Sequence, residues 1–464
     1  MTTRNEPHTD IALPGDDAFE TATRVFNLAA PARPTAAITT HDADQVRAAL
    51  RYATRAGLNA RIQTTGHASA SARPMNGSVL IRTEQVEPVE VDVERRVARV
   101  PAGTRWGTVV EAASPHGLAA PHGSSPDVGV IGYLLRGGVS FYGRRVGLAA
   151  NSVRAIEMVT ADGKSRRVSA SADPELFWAL RGGGGGFGVV TAVEVGLFPA
   201  AKVITGIAFW PVEHAERLMR SWLAWTTTAP ETATTSLRVM NLPSIPAIPP
   251  ELRAGPVICV DGAVLAETEE DLPTARHHAA DLLEPMRSVA EPLLDTWSPA
   301  LPSAVTETHM DPSEPATVHG DHMLLSGLDD SGAEAFLGVT AEPSGSPLVS
   351  AELRQLGGAL ARSDPAGGAL DHFDADFAYI GAGLQTADVT AEKITSRLEN
   401  VRTALRPWNT GRTAPTFVES FRQPQGVLEP DTVRAVDRVR ARVDPTGLLA
   451  GDIARNATAR RDGP

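Results

Sequence analysis

Residues 173–190 read Asp-Pro-Glu-Leu-Phe-Trp-Ala-Leu-Arg, then five glycines, then Phe-Gly-Val-Val. Asp173 is placed as a helix N-cap with Pro174 in the first turn. The segment therefore predicts a helix, a glycine run that no helix interior tolerates cheaply, and a strand from Val189 to Leu197. Gly183, Gly185 and Gly188 spell G-x-G-x-x-G, a fingerprint that requires a strand before it and a helix after it. Here the order is reversed, and a Rossmann dinucleotide fold is excluded.

Two other stretches carry the same glycine-rich character. Leu58 to Gln63 reads as a short buried strand that runs into Thr64-Thr65-Gly66-His67-Ala68-Ser69. Small residues there let a ligand approach the backbone closely, and successive amide N–H groups in such a turn form a concave anion site. Residues 121–151 hold Gly123, Gly129, Gly132, Gly137 and Gly138 among Ser124, Ser125, Asp127 and Val128. A loop of that length is uncommon unless it is functional, and its glycines suit backbone packed on a flat or anionic ligand.

The rest of the chain sets bounds. Its 464 residues and 42% hydrophobic content imply a globular protein of two or three domains. No apolar run of about 18 residues is present, so no membrane span is expected. A net charge of −12 disfavours nucleic acid, whose phosphates it would repel. Met1 to Pro14 lacks the charged start and apolar core of a signal peptide, so a cytoplasmic location is expected. The lone Cys259 sits in an apolar run, which excludes an internal disulfide and reads as core.

Residues 1–20 read as a loosely held terminus. Asp42 to Ala56 is predicted as a helix closed by Gly57, and Trp106 to Ala113 as another. Val153 to Thr160 predicts a strand turning at Ala161-Asp-Gly163 into a return strand. From about 205 to 412 strands and helices alternate as in a sheet backed by helices. Strands are expected over Gly255 to Leu265, Pro347 to Gln355 and Phe373 to Ile380. Helices are expected over Val212 to Thr226, Glu269 to Leu283 and Val389 to Leu405. Glu307 to His322 reads as irregular, Phe417 as a short β run, and Pro430 to Val443 as a helix. His319 and His322 stand at a spacing that could mimic a metal pair, but other ligands are lacking nearby and a polar loop is the expectation. No metal is expected.

In order along the chain, Arg24-Val-Phe-Asn27, Thr65-Gly-His67, Val128-Gly-x-x-Gly132, Gly137-Gly138, Tyr142-Gly-Arg144, Gly147-Leu-Ala149, the segment 173–191 and Asp444-Pro445 resemble one family. It is the vanillyl-alcohol-oxidase (PCMH) superfamily of FAD-linked oxidases, in particular its berberine-bridge-enzyme-like branch. The resemblance implies an α+β chain: a two-subdomain FAD-binding domain over 1–205, a substrate domain with a large antiparallel sheet over 206–412, and a segment 413–464 completing the first. It implies FAD held by 64–69, by Gly123 to Gly132, by Gly137 and Gly138, and by Gly188, Val189 and Val190, the two valines at the adenosine end.

His67 matches the histidine that bonds covalently to the flavin in this family. Ser125 stands where bicovalent members carry cysteine, so a single link through His67 is expected. Val128 matches a gatekeeper position that goes with oxygen-reactive members.

The reaction implied is hydride transfer from a small organic substrate to flavin N5, with O2 reoxidation to hydrogen peroxide, a chemistry suited to secondary metabolism. A non-redox cyclase or lyase on the same scaffold is the alternative. The usual C-terminal tyrosine is replaced by Phe417, which moves no proton. Glu419, Tyr142 and Tyr379 are the candidate catalytic groups, Glu419 if burial raises its pKa.

Overall fold

The computed structural model describes residues 11–85, 87–246, 248–342, 345–421, 423, 428–449 and 451. It shows mixed α/β architecture built on three main sheets. The first is small and parallel, with Ser78–Thr83 between Ala36–Thr40 and Asn59–Gln63. Parallel neighbours need a crossover, and the helix Ala43–Ala56 supplies one. The Asp42 side chain accepts the Gln45 N–H at its start, and Gly57 at φ 66° ends it. Val46, Ala49, Leu50 and Ala53 line its buried stripe. The loop carrying His67 leaves the C-terminal end of Asn59–Gln63, the end of a parallel strand where ligands bind in open α/β sheets.

The second sheet runs Glu90–Asp92, Val97–Pro101, Val189–Gly196, Val153–Val159, Ser165–Ser169, and its pairings are antiparallel. Asp173 caps the helix Pro174–Leu180 from the left-handed region, accepting the Leu176 N–H. The glycines after it then lead into the strand Val189–Gly196. Gly188 is required by close packing: a Cβ there would lie 2.7 Å from the Val159 carbonyl oxygen.

The third sheet holds the strands Lys202–Pro211, Val257–Ala266, Ala233–Met240, Ser350–Gln355, Phe377–Leu384 and Val318–Leu325 in that order, all antiparallel. The helices Ala215–Thr226, Leu272–Arg287, Asp330–Thr340 and Ala391–Ala404 cover one face. They bury Leu218, Trp222, Phe336 and Leu398 against Leu237, Val239, Val260, Leu353 and Tyr379. Because strand side chains alternate, Arg238, Asp261, Glu352 and Arg354 point to the opposite face.

The structure departs from the sequence reading at several points. Residues 1–10 lie outside the described residues. Beyond them the terminus is not loose: Ala12 bridges Ala37 and Asp17–Ala22 is a helix. His319 and His322 lie on the strand Val318–Leu325, so on opposite faces, and not in a loop. The whole strand Ala233–Met240 escaped notice because its Thr-Thr-Ser-Leu-Arg sequence shows no alternation of apolar and polar positions, although every position is buried. The run at Phe417 is a 3-10 turn, Pro415–Phe417. The 121–151 stretch carries the short helices Val130–Leu135 and Gly143–Val146.

Candidate active site

Gly66 has φ +77°, and a Cβ there would lie 2.7 Å from Val25 Cα. Only glycine lets the loop pass this close to the Arg24–Asn27 segment, which the Phe26 N–H fastens to the Thr65 carbonyl at 3.1 Å. The Phe26 ring stacks on His67, centroids 3.9 Å apart. Thr65 Oγ1 lies 2.9 Å from His67 Nδ1 and fixes that nitrogen. His67 Nε2 is buried without a partner among the described residues. Burial, aided by Arg105 and opposed by Asp127 and Asp311, lowers the His67 pKa to about 4, so the imidazole is neutral; in the tautomer whose Nδ1–H donates to Thr65 Oγ1, Nε2 carries the lone pair. Among the described residues the backbone N–H groups of Thr65, Gly66, His67 and Ala68 meet no acceptor. The Ser69 N–H closes the turn on the Gly66 carbonyl at 3.2 Å, and its hydroxyl donates to the Asn27 carbonyl.

The second loop lies directly beside the first. A Cβ on Gly129 would come within 3.4 Å of Thr64. Trp106 N–H to the Val128 carbonyl (3.0 Å), Gly107 N–H to the Pro126 carbonyl (2.9 Å) and Val130 N–H to the Thr104 carbonyl (3.0 Å) clamp the loop to the turn before the helix Trp106–Ala113. Arg105 pairs with Asp127 at 2.7 Å, and the Ser125 hydroxyl accepts the Asp127 N–H. The N–H groups of Gly123, Ser124 and Ser125 meet no acceptor among the described residues. A Cβ at Gly132 would meet nothing within 4 Å, so the space beside it is open. Gly138, at φ +74°, lies against the Tyr133 ring. The Tyr133 hydroxyl and the Trp106 Nε1 are further buried atoms without partners.

The C-terminal segment closes this region. Gly138 N–H donates to Thr416 Oγ1 at 3.1 Å, and Arg136 donates to Ser71 Oγ at 2.7 Å. Glu419 follows, partly open yet ringed by protein; Asn27 Nδ2 donates to it at 3.3 Å. Burial raises the Glu419 pKa to about 7, against the opposing pull of Asn27 and Arg136. Glu419 and the His67 loop are thus joined through the Phe26–Asn27 dipeptide.

The third sheet contributes a cluster absent from the sequence reading. Arg238, Asp261, His309, Glu352 and Arg354 are each at most 6% exposed. Arg238 pairs with Asp261 at 2.5 Å and Arg354 with Glu352 at 2.6 Å. His309 Nδ1 lies 2.8 Å from Asp261 and its Nε2 3.3 Å from Glu352. Asp311, on the same loop, accepts the Ser124 hydroxyl at 2.6 Å and ties the cluster to the glycine loop. The available signal was charge inside buried strands: Asp261 interrupts Val257–Ala266, and Glu352 and Arg354 alternate with Leu353.

Other expected residues lie apart. Tyr142 donates its hydroxyl to the Pro302 carbonyl at 3.2 Å and packs on Phe198, so its proton is already engaged in the core. Tyr379 sits in the helix-side core near Phe336, on the face turned away from the charged cluster. The structure brings neither tyrosine to Glu419. The Val189 and Val190 side chains fill hydrophobic cores. His322 holds backbone: its Nε2 accepts the Ala414 N–H at 2.8 Å and its Nδ1 faces the Tyr379 carbonyl. Among the described residues no group of three or more His, Cys, Asp or Glu side chains is arranged to hold a metal ion, and no helix is long and apolar enough to cross a membrane.

Unpaired amides on two adjoining loops, an imidazole with a free nitrogen and open space beside Gly132 fit a dinucleotide with a flat ring system. The FAD binding domain family matches residues 34–169. (R)-6-hydroxynicotine oxidase of Paenarthrobacter nicotinovorans is 32% identical over 208 residues, 45% of this chain and 45% of its own length. A carbohydrate oxidase of Microdochium nivale is 31% identical over 199 residues, 42% of this chain and 40% of its own length. The matched stretch thus spans less than half of either relative. The whole fold matches the crystal structure of 6-hydroxy-D-nicotine oxidase from Arthrobacter nicotinovorans, with TM-score 0.81 and 23% identity over 97% of this chain and 98% of the other. It also matches BBE-like 1 of Physcomitrella patens, with TM-score 0.77 and 20% identity over 96% of each chain. Residues 34–169 thus match an FAD binding domain, and the fold of the chain is similar to those of 6-hydroxy-D-nicotine oxidase and BBE-like 1.

Proposed function

We propose that the chain is an FAD-dependent oxidase of a small organic molecule, with FAD attached through His67 alone. The observation that carries the reading is the buried, unpartnered His67 Nε2 at the end of a run of free amide N–H groups. FAD, held by these loops, would supply a hydride acceptor for the substrate C–H and a two-electron route to O2, giving hydrogen peroxide. The chain's own residues do the rest. The amides of 65–68 and 123–125 bind the anionic part and offset its charge in an acidic protein. Thr65 and Phe26 hold the His67 ring so that a single nitrogen is free to bond carbon. Val128 keeps the small apolar side chain expected to leave a path for oxygen. Glu419, with a pKa of about 7, takes the proton from the substrate O–H or N–H beside the C–H that is broken. A carboxyl tuned near the working pH suits that task.

The relatives, a 6-hydroxynicotine oxidase and a carbohydrate oxidase, support oxidation over the cyclase or lyase alternative. To test the reading, the purified protein is precipitated with acid and the pellet inspected for flavin. The holoprotein is separately reduced by light under argon and then mixed with air. Yellow pellet, rapid reoxidation and stoichiometric peroxide are expected. Colourless protein that takes up no FAD would overturn the reading; flavin that reoxidises only over minutes would convert it to a dehydrogenase.

A further inference from the structure

Asparagine followed by glycine occurs once in this chain, at Asn76-Gly77. The pair forms the tip of the turn that enters Ser78–Thr83, the central strand of the first sheet. The turn is pinned at its ends. Ser78 N–H donates to the Met75 carbonyl at 3.1 Å, and the Ser78 hydroxyl donates to the same oxygen. Gly77 sits at φ +71°, a conformation that glycine adopts without strain. Its carbonyl accepts the Asn59 N–H at 3.1 Å.

Between those anchors the tip is bare. Asn76 is exposed and has no hydrogen-bond partner among the described residues. The Gly77 N–H meets no acceptor there either. A Cβ on Gly77 would find nothing within 4 Å, so the space beside the Asn76–Gly77 peptide is open. Asparagine is a thermally labile residue, most of all where the following residue leaves its peptide nitrogen unshielded. Every other asparagine of the chain precedes a residue with a side chain, which crowds that nitrogen. Asn27, Asn151 and Asn241 also engage their side-chain amides with backbone carbonyls.

We propose that Asn76 is a site of spontaneous modification, at which the Gly77 nitrogen closes on the Asn76 side chain and converts it to aspartate and isoaspartate. The Gly77 nitrogen bonds to Asn76 Cγ and the Cγ–Nδ2 bond breaks. The side-chain nitrogen leaves as ammonia, taking the Gly77 proton. Water then opens the five-membered imide. Attack at Cγ gives aspartate; attack at the main-chain carbonyl carbon gives isoaspartate, whose chain runs through Cβ and Cγ. Each product adds one negative charge, and nothing is oxidised or reduced. The isoaspartyl form inserts a methylene between two fixed points, the Met75 carbonyl and the Gly77 carbonyl that holds Asn59. Asn59 opens the strand that carries the His67 loop at its far end. The change therefore loosens the first sheet from the end away from the flavin-binding turns.

The full-length protein is held in mildly alkaline buffer beside a synthetic peptide of residues 73–80, and both are mapped over time by mass spectrometry. Residue 76 is expected to be the fastest-deamidating asparagine of the chain, at a rate no more than about tenfold below that of the peptide, because an exposed turn gives little protection. A slower rate, or faster loss at another asparagine, overturns the site. The isoaspartyl fraction is then separated and compared in thermal unfolding with Asn76→Asp, which has the same charge and the ordinary chain length. A lower Tm for the isoaspartyl protein is expected; an equal Tm overturns the effect on the first sheet. Deamidation needs neither cofactor nor substrate, so the outcome is independent of the oxidase reading.

Discussion

His67 and Glu419 are tuned in opposite senses by the same cause, loss of water. Burial keeps the imidazole neutral and nucleophilic and keeps the carboxyl protonated up to about pH 7. His67→Ala should release flavin into the supernatant on acid precipitation while FAD is still bound before it. As a base, Glu419 must be ionised, so kcat/KM should rise with pH through about 7. Glu419→Gln should flatten that limb and lower kcat by roughly 10²–10⁴-fold. The stability effect has the opposite sense. A carboxyl whose folded pKa is raised stabilises the fold relative to the ionised state below its unfolded value of 4.5, and that contribution is lost as pH rises toward 7. Denaturant titrations at pH 5 and pH 8 should show a smaller pH dependence in Glu419→Gln than in the parent. The sequence made both residues legible, because each sits in a short recognisable string. It did not expose Arg238, His309 or Arg354, whose meaning comes from strands far apart in sequence that only folding brings side by side.

At the level of elements, the site depends on turns that no residue with a Cβ can make. Gly66→Ala would push the loop off Val25 and Phe26, with a positive φ adding strain. A cost of about 1–3 kcal/mol is expected in urea unfolding, together with loss of the stacked His67–Phe26 pair and weaker FAD retention. Local pattern was enough for the helix Ala43–Ala56, with its cap and αL glycine, and for the hairpin Val153–Val159 with Ser165–Ser169. Ala233–Met240 was invisible because both its faces are buried, one on helices and one on the charged cluster, which erases the period of two.

Across the whole molecule, Arg144 is the clasp between the glycine loops and the large sheet. Its guanidinium donates to the carbonyls of Ala233 at 2.8 Å and Ala229 at 3.0 Å, and also to that of Leu356. Arg144→Met strands those acceptors, and a loss on the order of 3 kcal/mol is expected in urea unfolding of the FAD-free protein. In the His67→Ala background, FAD at a hundredfold excess over its Kd should return ~2.7 kcal/mol, read as a rise in Tm with added FAD. The resemblance in the sequence foretold the antiparallel sheet with helices on one side; the charged content of its other face was beyond it. Finally, the hydrogen bond from Asn27 to Glu419 spans 392 positions of chain. The pocket therefore has no floor until ribosomal synthesis has passed residue 419, and a nascent polypeptide can fold its first sheet long before it can grip a chromophore. If FAD is attached at His67 as proposed, that attachment would be a late event, and the bond would mark a chain whose distant halves have already met.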